Sequence, residues 1–240
     1  MSTVETGKFE PSTGTALNLG ASGDAVTLPA GVTLKTNTIK DAGGNTIFTS
    51  DGAGTLSSVN SGLQGNMVFI SSVTASASSS IEFTANLDST YDEYIFYLVN
   101  IHPASDGYAL RFQGSTDGNS SFANMTTTNF YAYHTESGAS SSLAYYAAGD
   151  VANGTPTLLT YTIGADNDQS LSGEFHLFAP SSTTYVKHWY ARTSSYGESN
   201  EEWDSHTAGY LNTTSAINAV KFDMSSGNID AGSIYLYGIK

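Results

Sequence analysis

The stretch Ile81–Ile101, "IEFTANLDSTYDEYIFYLVNI", decides the fold class. In its first part Ile81, Phe83, Ala85 and Leu87 alternate with Glu82, Thr84 and Asn86, the two-residue period of a strand with one wet face. In its second part Tyr94–Ile101 is apolar on both sides, as in a central strand or one covered by a neighbouring module. The alternation recurs where Tyr108, Leu110 and Phe112 face away from Ala109, Arg111 and Gln113, and where Val220, Phe222 and Met224 face away from Lys221 and Asp223. Turn signals punctuate these runs at Asp117-Gly118, Asn153-Gly154, Ser226-Gly227 and Ala179–Ser182. No apolar pattern of helical spacing persists beyond a couple of turns. The expectation is an all-β protein whose larger part has about eight to ten strands and forms a jelly-roll-like β-sandwich.

Composition narrows the partners and the chemistry. The chain has 240 residues, a formal net charge of −14 and no Cys, so neither a disulfide framework nor thiolate chemistry is open to it. The acidic balance argues against nucleic acid and against an anionic lipid surface, because both need clustered Lys and Arg. No window reaches the ~18 consecutive apolar residues of a spanning helix, and the first residues lack a basic segment followed by an apolar run. We therefore expect neither membrane insertion nor a classical secretion signal. Phosphate-binding loops, nucleophile elbows and zinc-protease motifs are missing, no cofactor is implied, and the five His are solitary in sequence. Triplets of the form N-x-S/T at Asn119, Asn124, Asn153 and Asn212 are what chance supplies in a chain this rich in Ser and Thr.

Aromatic content divides the chain near "NSGLQGN", Asn60–Asn66. Phe9 and Phe48 precede it; all 15 Tyr and both Trp follow it. This predicts an N-terminal attachment or shaft segment over residues 1–62 and a sandwich over 63–240. In the first part, short runs at Ala16–Leu19, Ala25–Leu28, Val32–Ile39, Asn45–Thr49 and Thr55–Ser58 recur about every ten residues. Such thin strands bury too few methyl groups to offset roughly 1 to 2 kcal/mol of backbone entropy per ordered residue. They become stable when identical copies wind together or when they lie on another protein. Val26, Leu28, Val32, Leu34, Ile39, Ile47 and Phe48 are the candidates for that contact.

The runs "LNLGASGDAVTLPAGVTL" and "IKDAGGNTIFTSDGAGTLSSV" resemble the N-terminal shaft or anchor segments of marine bacteriophage tail-fibre and head-decoration proteins. The ending "AGSIYLYGIK", Ala231–Lys240, is similar to the closing strand of the β-sandwich tips in the same group. The resemblance implies a virion structural protein exposed on the particle surface: a short fibre, spike or capsid decoration. It implies a homotrimer docked to another virion protein through its N-terminal segment, with the sandwich facing the host. It carries over no catalytic residue.

Two runs hold the candidate ligand-binding residues. In "TYVKHWYARTSSYG", Thr184–Gly197, a strand would project His188, Tyr190 and Arg192 from one face. Such a row can hydrogen-bond a sugar acid and hold it against a ring. The bland reading is a solvated strand face with Tyr stems lying flat. In "GESNEEWDSHTAGY", Gly197–Tyr210, Trp203 stands among Glu198, Glu201, Glu202 and Asp204, with His206 nearby. Exposed in a loop, Trp203 would offer a sugar-stacking platform, or the carboxylates a calcium site; packed back, the run is a solvated acidic loop. Asp166 and Asp168 in "GADNDQS" offer hard oxygen donors for a metal, or simply a tight turn. The function expected is structural and adhesive, with a host-surface glycan as the possible ligand of the sandwich, and it is not enzymatic. The rival readings are a monomeric secreted carbohydrate-binding module and a jelly-roll polysaccharide lyase using Tyr190 or His188 as base.

Overall fold

The computed structural model describes residues 36–53, 55–59 and 66–239, and every regular element among them is a β-strand. These residues fall into two compact units, one within 1–63 and one within 64–240.

In the first unit, β1 (Thr38–Lys40), β2 (Thr46–Ser50) and β3 (Leu56–Val59) form an antiparallel meander. Its hairpins are organised by aspartates. The Asp41 carboxylate accepts the backbone N–H of Asn45 at 2.8 Å, and the Asp51 carboxylate accepts those of Ala53 and Thr55 at 2.7 and 3.1 Å. Both carboxyls are held below their ordinary value, Asp41 first by the Asn45 side chain and Asp51 first by the Ala53 backbone N–H. Ile39, Phe48 and Val59 are partners across the three strands and share one face, while Ile47 lies on the other. No described residue of this unit is buried. Val26, Leu28, Val32 and Leu34 lie outside the described residues, as do the expected runs at 16–19 and 25–28.

The second unit is an unequal sandwich. Its large sheet contains β4 (Met67–Thr74), β6 (Glu93–Pro103), β8 (Met125–Thr135), β9 (Ser141–Tyr145), β10 (Ala152–Gly154), β12 (Leu171–Phe178), β13 (Lys187–Tyr196), β14 (Glu201–Leu211) and β16 (Ile229–Ile239). The order is β10-β8-β14-β13-β12-β6-β16-β4, with β9 beside β8, and every pairing is antiparallel. The small sheet, in order β11-β7-β15-β5, contains β5 (Ile81–Phe83), β7 (Leu110–Ser115), β11 (Thr157–Leu158) and β15 (Ala219–Met224). This unit thus holds 13 strands, above the expected number. The excess comes from β9, β10 and β11, short edge additions with no alternation to announce them. Asn153-Gly154, read as a turn, instead falls in β10, where Asn153 takes a positive φ at an irregular register with β8.

The core lies between the sheets, where rings from both interleave. Phe96, Phe175 and Trp189 of the large sheet meet Phe112 and Phe222 of the small one, with Phe112 and Phe175 only 4.2 Å apart between centroids. Tyr94–Ile101 does occupy a central strand, β6, flanked by β12 and β16. Where β6 and β16 bulge, Gly232 takes φ +110°, and a Cβ there would stand 2.4 Å from the Asn100 carbonyl oxygen, so only glycine fits.

The abundant Ser and Thr find a use on the inner face. Beyond β11, residues 159–163 continue over the large sheet and are tied to it by inward hydroxyls. Thr193 Oγ1 donates to the Leu159 carbonyl and Ser195 Oγ to the Thr162 carbonyl, each at 2.8 Å. Hydroxyls that would be costly if buried unpaired thereby satisfy backbone groups that strand pairing leaves over.

Candidate functional site

The alternation of β13 and β14 creates two unlike surfaces. On β13, Trp189, Ala191, Thr193 and Ser195 are buried toward the small sheet, while His188, Tyr190, Arg192 and Ser194 face outward. On β14, Trp203, Ser205 and Thr207 point inward, and Glu202, Asp204, His206 and Tyr210 outward. The sequence candidates His188, Tyr190 and Arg192 therefore share the outer face of the large sheet.

Trp203 does not join them. It is 6% exposed, held between the rings of Tyr161 at 4.2 Å and Tyr133 at 4.6 Å, with Tyr131 edge-on at 4.9 Å. The run read as an exposed acidic loop is strand β14, and its carboxylates straddle the sheet while the indole falls on the inner side. Trp203 is a structural ring that fills the inner face.

Asp166 and Asp168 also have a structural setting. The turn that carries them is organised by Gln169, 2% exposed, whose backbone N–H donates to the Asp166 carbonyl at 2.9 Å and whose side-chain oxygen accepts the Asp166 N–H at 2.9 Å. Gln169 Nε2 donates onward to the Gly197 carbonyl at 3.2 Å. Among the described residues no group of three or more His, Asp or Glu side chains converges on a point that could hold a metal ion.

Fixed polar pairs and flat rings make up the outer face. The Arg192 guanidinium forks onto Asp204, with Nε to Oδ1 at 3.1 Å and Nη2 to Oδ2 at 3.0 Å. His206 Nε2 stands 3.3 Å from the same carboxylate. The Arg192 hydrogen bonds, aided by His206, hold the Asp204 carboxyl below its ordinary value. Beside Tyr190 lies His176, 7% exposed, with its ring stacked on the phenol at 4.4 Å and 12°. His176 Nδ1 is 2.5 Å from Glu93 Oε1, and Nε2 is 3.5 Å from Glu174 Oε2. Burial, followed by the Glu174 and Glu93 charges, pushes the Tyr190 hydroxyl up. Phe130 of β8 lies flat on His206 at 4.9 Å and 2°.

Two adjoining depressions sit on this face. One of about 630 Å³ is lined by Tyr97, Glu174, Arg192, Ser194, Glu202 and Asp204, among others. The second, about 260 Å³, is lined by Phe130, Tyr190 and His206, with Glu174 and Arg192 on the shared wall. Phe130, Glu174, His176, Tyr97 and His206 are the members that sequence reasoning did not assemble. The Ala179–Ser182 turn signal joins β12 to β13, but the register that sets Glu174 opposite Arg192 and His176 opposite Tyr190 is not written in either strand. No family model matches the chain, and no curated protein or solved structure does.

Proposed function

We propose that the protein is an adhesive structural protein: its sandwich presents the outer face of the large sheet to a carbohydrate, and its N-terminal unit attaches and oligomerises. The observation that carries the reading is the uncovered face itself. Phe130, Tyr190 and Tyr145 are 43, 40 and 62% exposed there, beside hydrogen-bonding groups whose positions are set by ion pairs. Rings offer an apolar plane to the C–H face of a sugar, and ordered carboxylate, guanidinium and imidazole groups take its hydroxyls. Support for attachment comes from the meander, where Ile39, Ile47 and Phe48 are only half-buried and await a cover from other chains. With the resemblance of both ends to phage fibre and decoration proteins, the reading becomes a short fibre, spike or capsid decoration of a virion, trimeric and docked to another virion protein.

Tyr190, one of the two bases of the lyase reading, is less favoured in that role here. A Tyr190 hydroxyl pushed up by burial and two carboxylates ionises less readily, which weakens it as a general base. The test is a glycan array and host-cell binding assay on the full chain and on Tyr190→Ala. Binding that weakens in the variant, with an unchanged circular dichroism spectrum, supports the reading; equal binding by both overturns it. Light scattering of the full chain and of a chain beginning at Gly62 addresses the attachment half. A trimer that becomes a monomer on truncation is the expected result. Two monomers would favour a free-standing carbohydrate-binding module.

A further inference from the structure

The outward residues of the large sheet are in register across six of its nine strands. Phe130, His206, Arg192, Glu174, Tyr97 and Tyr235 are successive cross-strand partners on β8, β14, β13, β12, β6 and β16. At about 4.8 Å per strand, the five intervals extend roughly 24 Å. A parallel row one step along the strands holds Tyr190, His176, Tyr237 and Phe69. Phe69, near the β4 edge, is 54% exposed, and its ring meets Tyr237 edge-on at 5.5 Å. Rings thus stand at both ends of the first row, Phe130 and His206 at one and Tyr97 and Tyr235 at the other, with Arg192 and Glu174 between them.

This pattern discriminates among occupants. A protein partner needs a contiguous apolar centre with charge at the rim, whereas here Arg192, Glu174 and Asp204 stand in the middle. A single terminal sugar needs one closed pocket, and both depressions are open and continuous with the row. Charge decides the rest. Glu93, Glu174, Glu202 and Asp204 face the row, with His134, His176, His188 and His206 among them. Arg192 is the cation among the outward residues of these strands, and Asp204 already occupies its fork. A uronic acid or a sulfated sugar would meet an excess of carboxylate.

We infer that the outer face takes a neutral polysaccharide laid across the strands and bound along its length, an inference that rests on the carbohydrate-binding reading above. Its ring faces would lie on Phe130, Tyr97 and Tyr237, and its hydroxyls would donate to Glu174 and Asp204. The sugar acid expected from the His, Tyr and Arg row alone is thereby replaced by an uncharged chain.

The experiment is calorimetric titration of the full chain with neutral oligosaccharides of the cello, laminari and manno series, from disaccharides to hexasaccharides, and with alginate and polygalacturonate oligomers. Affinity should rise with each added neutral unit until the row is filled, and the acidic oligomers should bind at least tenfold more weakly. Phe130→Ala, an exposed change that leaves the core intact, should weaken the hexasaccharide about two- to tenfold, as loss of one stacking contact implies. Equal affinity for short and long neutral oligomers would overturn the extended track. Preference for the acidic oligomers would overturn the neutral assignment. Either result keeps carbohydrate binding standing, whereas no binding to any of them would remove both the inference and the reading beneath it.

Discussion

Trp189 and Tyr190 are adjacent on one strand, yet they are 2% and 40% exposed. Along β12 the two faces differ in chemistry rather than exposure: Phe175 is fully buried in the ring cluster, while the next residue, His176, 7% exposed, is covered on the far side by Tyr190 and stands between two glutamates. The inner face is closed by a second layer: the small sheet, the 159–163 segment and the cluster around Trp203. The outer face carries rings of similar size with no layer over them. Apolar area that goes uncovered contributes little to folding, so the outward rings need a different explanation from the inward ones. Carbohydrate binding, as proposed, would supply one.

The sharpest way to break this contrast is a matched pair of substitutions. Trp189→Ala should cost about 3 to 5 kcal/mol, the range for removing a large buried ring, and denaturant unfolding will read it. Tyr190→Ala should cost less than about 1 kcal/mol and should still weaken carbohydrate binding. Comparable losses of stability in the two variants would mean that the outer face is structural as well.

A smaller effect is expected from Asp204→Asn. The change leaves the sheet intact and frees the Arg192 fork, because a carboxamide cannot accept both of its hydrogen bonds as a carboxylate does. Neutral oligosaccharides should bind more weakly, because a ligand hydroxyl loses a charged acceptor, and acidic oligomers should gain about tenfold, a change of about 1.4 kcal/mol. Stability should shift by no more than about 1 kcal/mol, since the pair is partly exposed. An unchanged preference would show that the Arg192–Asp204 pair does not set the charge selectivity.

How much of this was readable beforehand follows from the physics of strands. Alternation assigns neighbours to opposite faces, so His188, Tyr190 and Arg192 could be grouped from β13 alone. It could not say which face of β14 would meet the small sheet, so an exposed Trp203 and a Trp203 packed back were both open. The indole goes inward because its pairing with Ser195 and Tyr133 puts it on the buried side. The long row from Phe130 to Tyr235 depends on register between strands far apart in sequence, which no local pattern encodes. Asp166 and Asp168 were legible as a turn, but the residue that builds the turn is Gln169, whose short sequence distance gave no sign of its burial. In the first unit the poverty of apolar side chains was plain in the sequence, and no residue described there is buried.

The smallest effect is expected away from both faces. After β7, the Asp117 carboxylate accepts hydrogen bonds from the hydroxyls of Ser115 and Ser121 and from the backbone N–H of Ser120 and Ser121. These bonds, the Ser121 hydroxyl first, bring its pKa from 3.8 to about 2. A lowered folded-state pKa means that the contribution is present above 3.8 and is lost as pH falls toward 2. A carboxyl-detected titration should place the Asp117 midpoint near 2, and Asp117→Asn should flatten the stability curve in that window without altering oligosaccharide binding at neutral pH.

The most direct test of the contrast between the faces is amide chemical-shift mapping of the chain titrated with a neutral hexasaccharide. The account predicts perturbations centred on Phe130, Glu174, Tyr190, Arg192 and His206 and extending to Tyr97 and Tyr235, with the small sheet silent. Perturbations centred on β5, β7 and β15, or on the turn from Asp166 to Gln169, would contradict it.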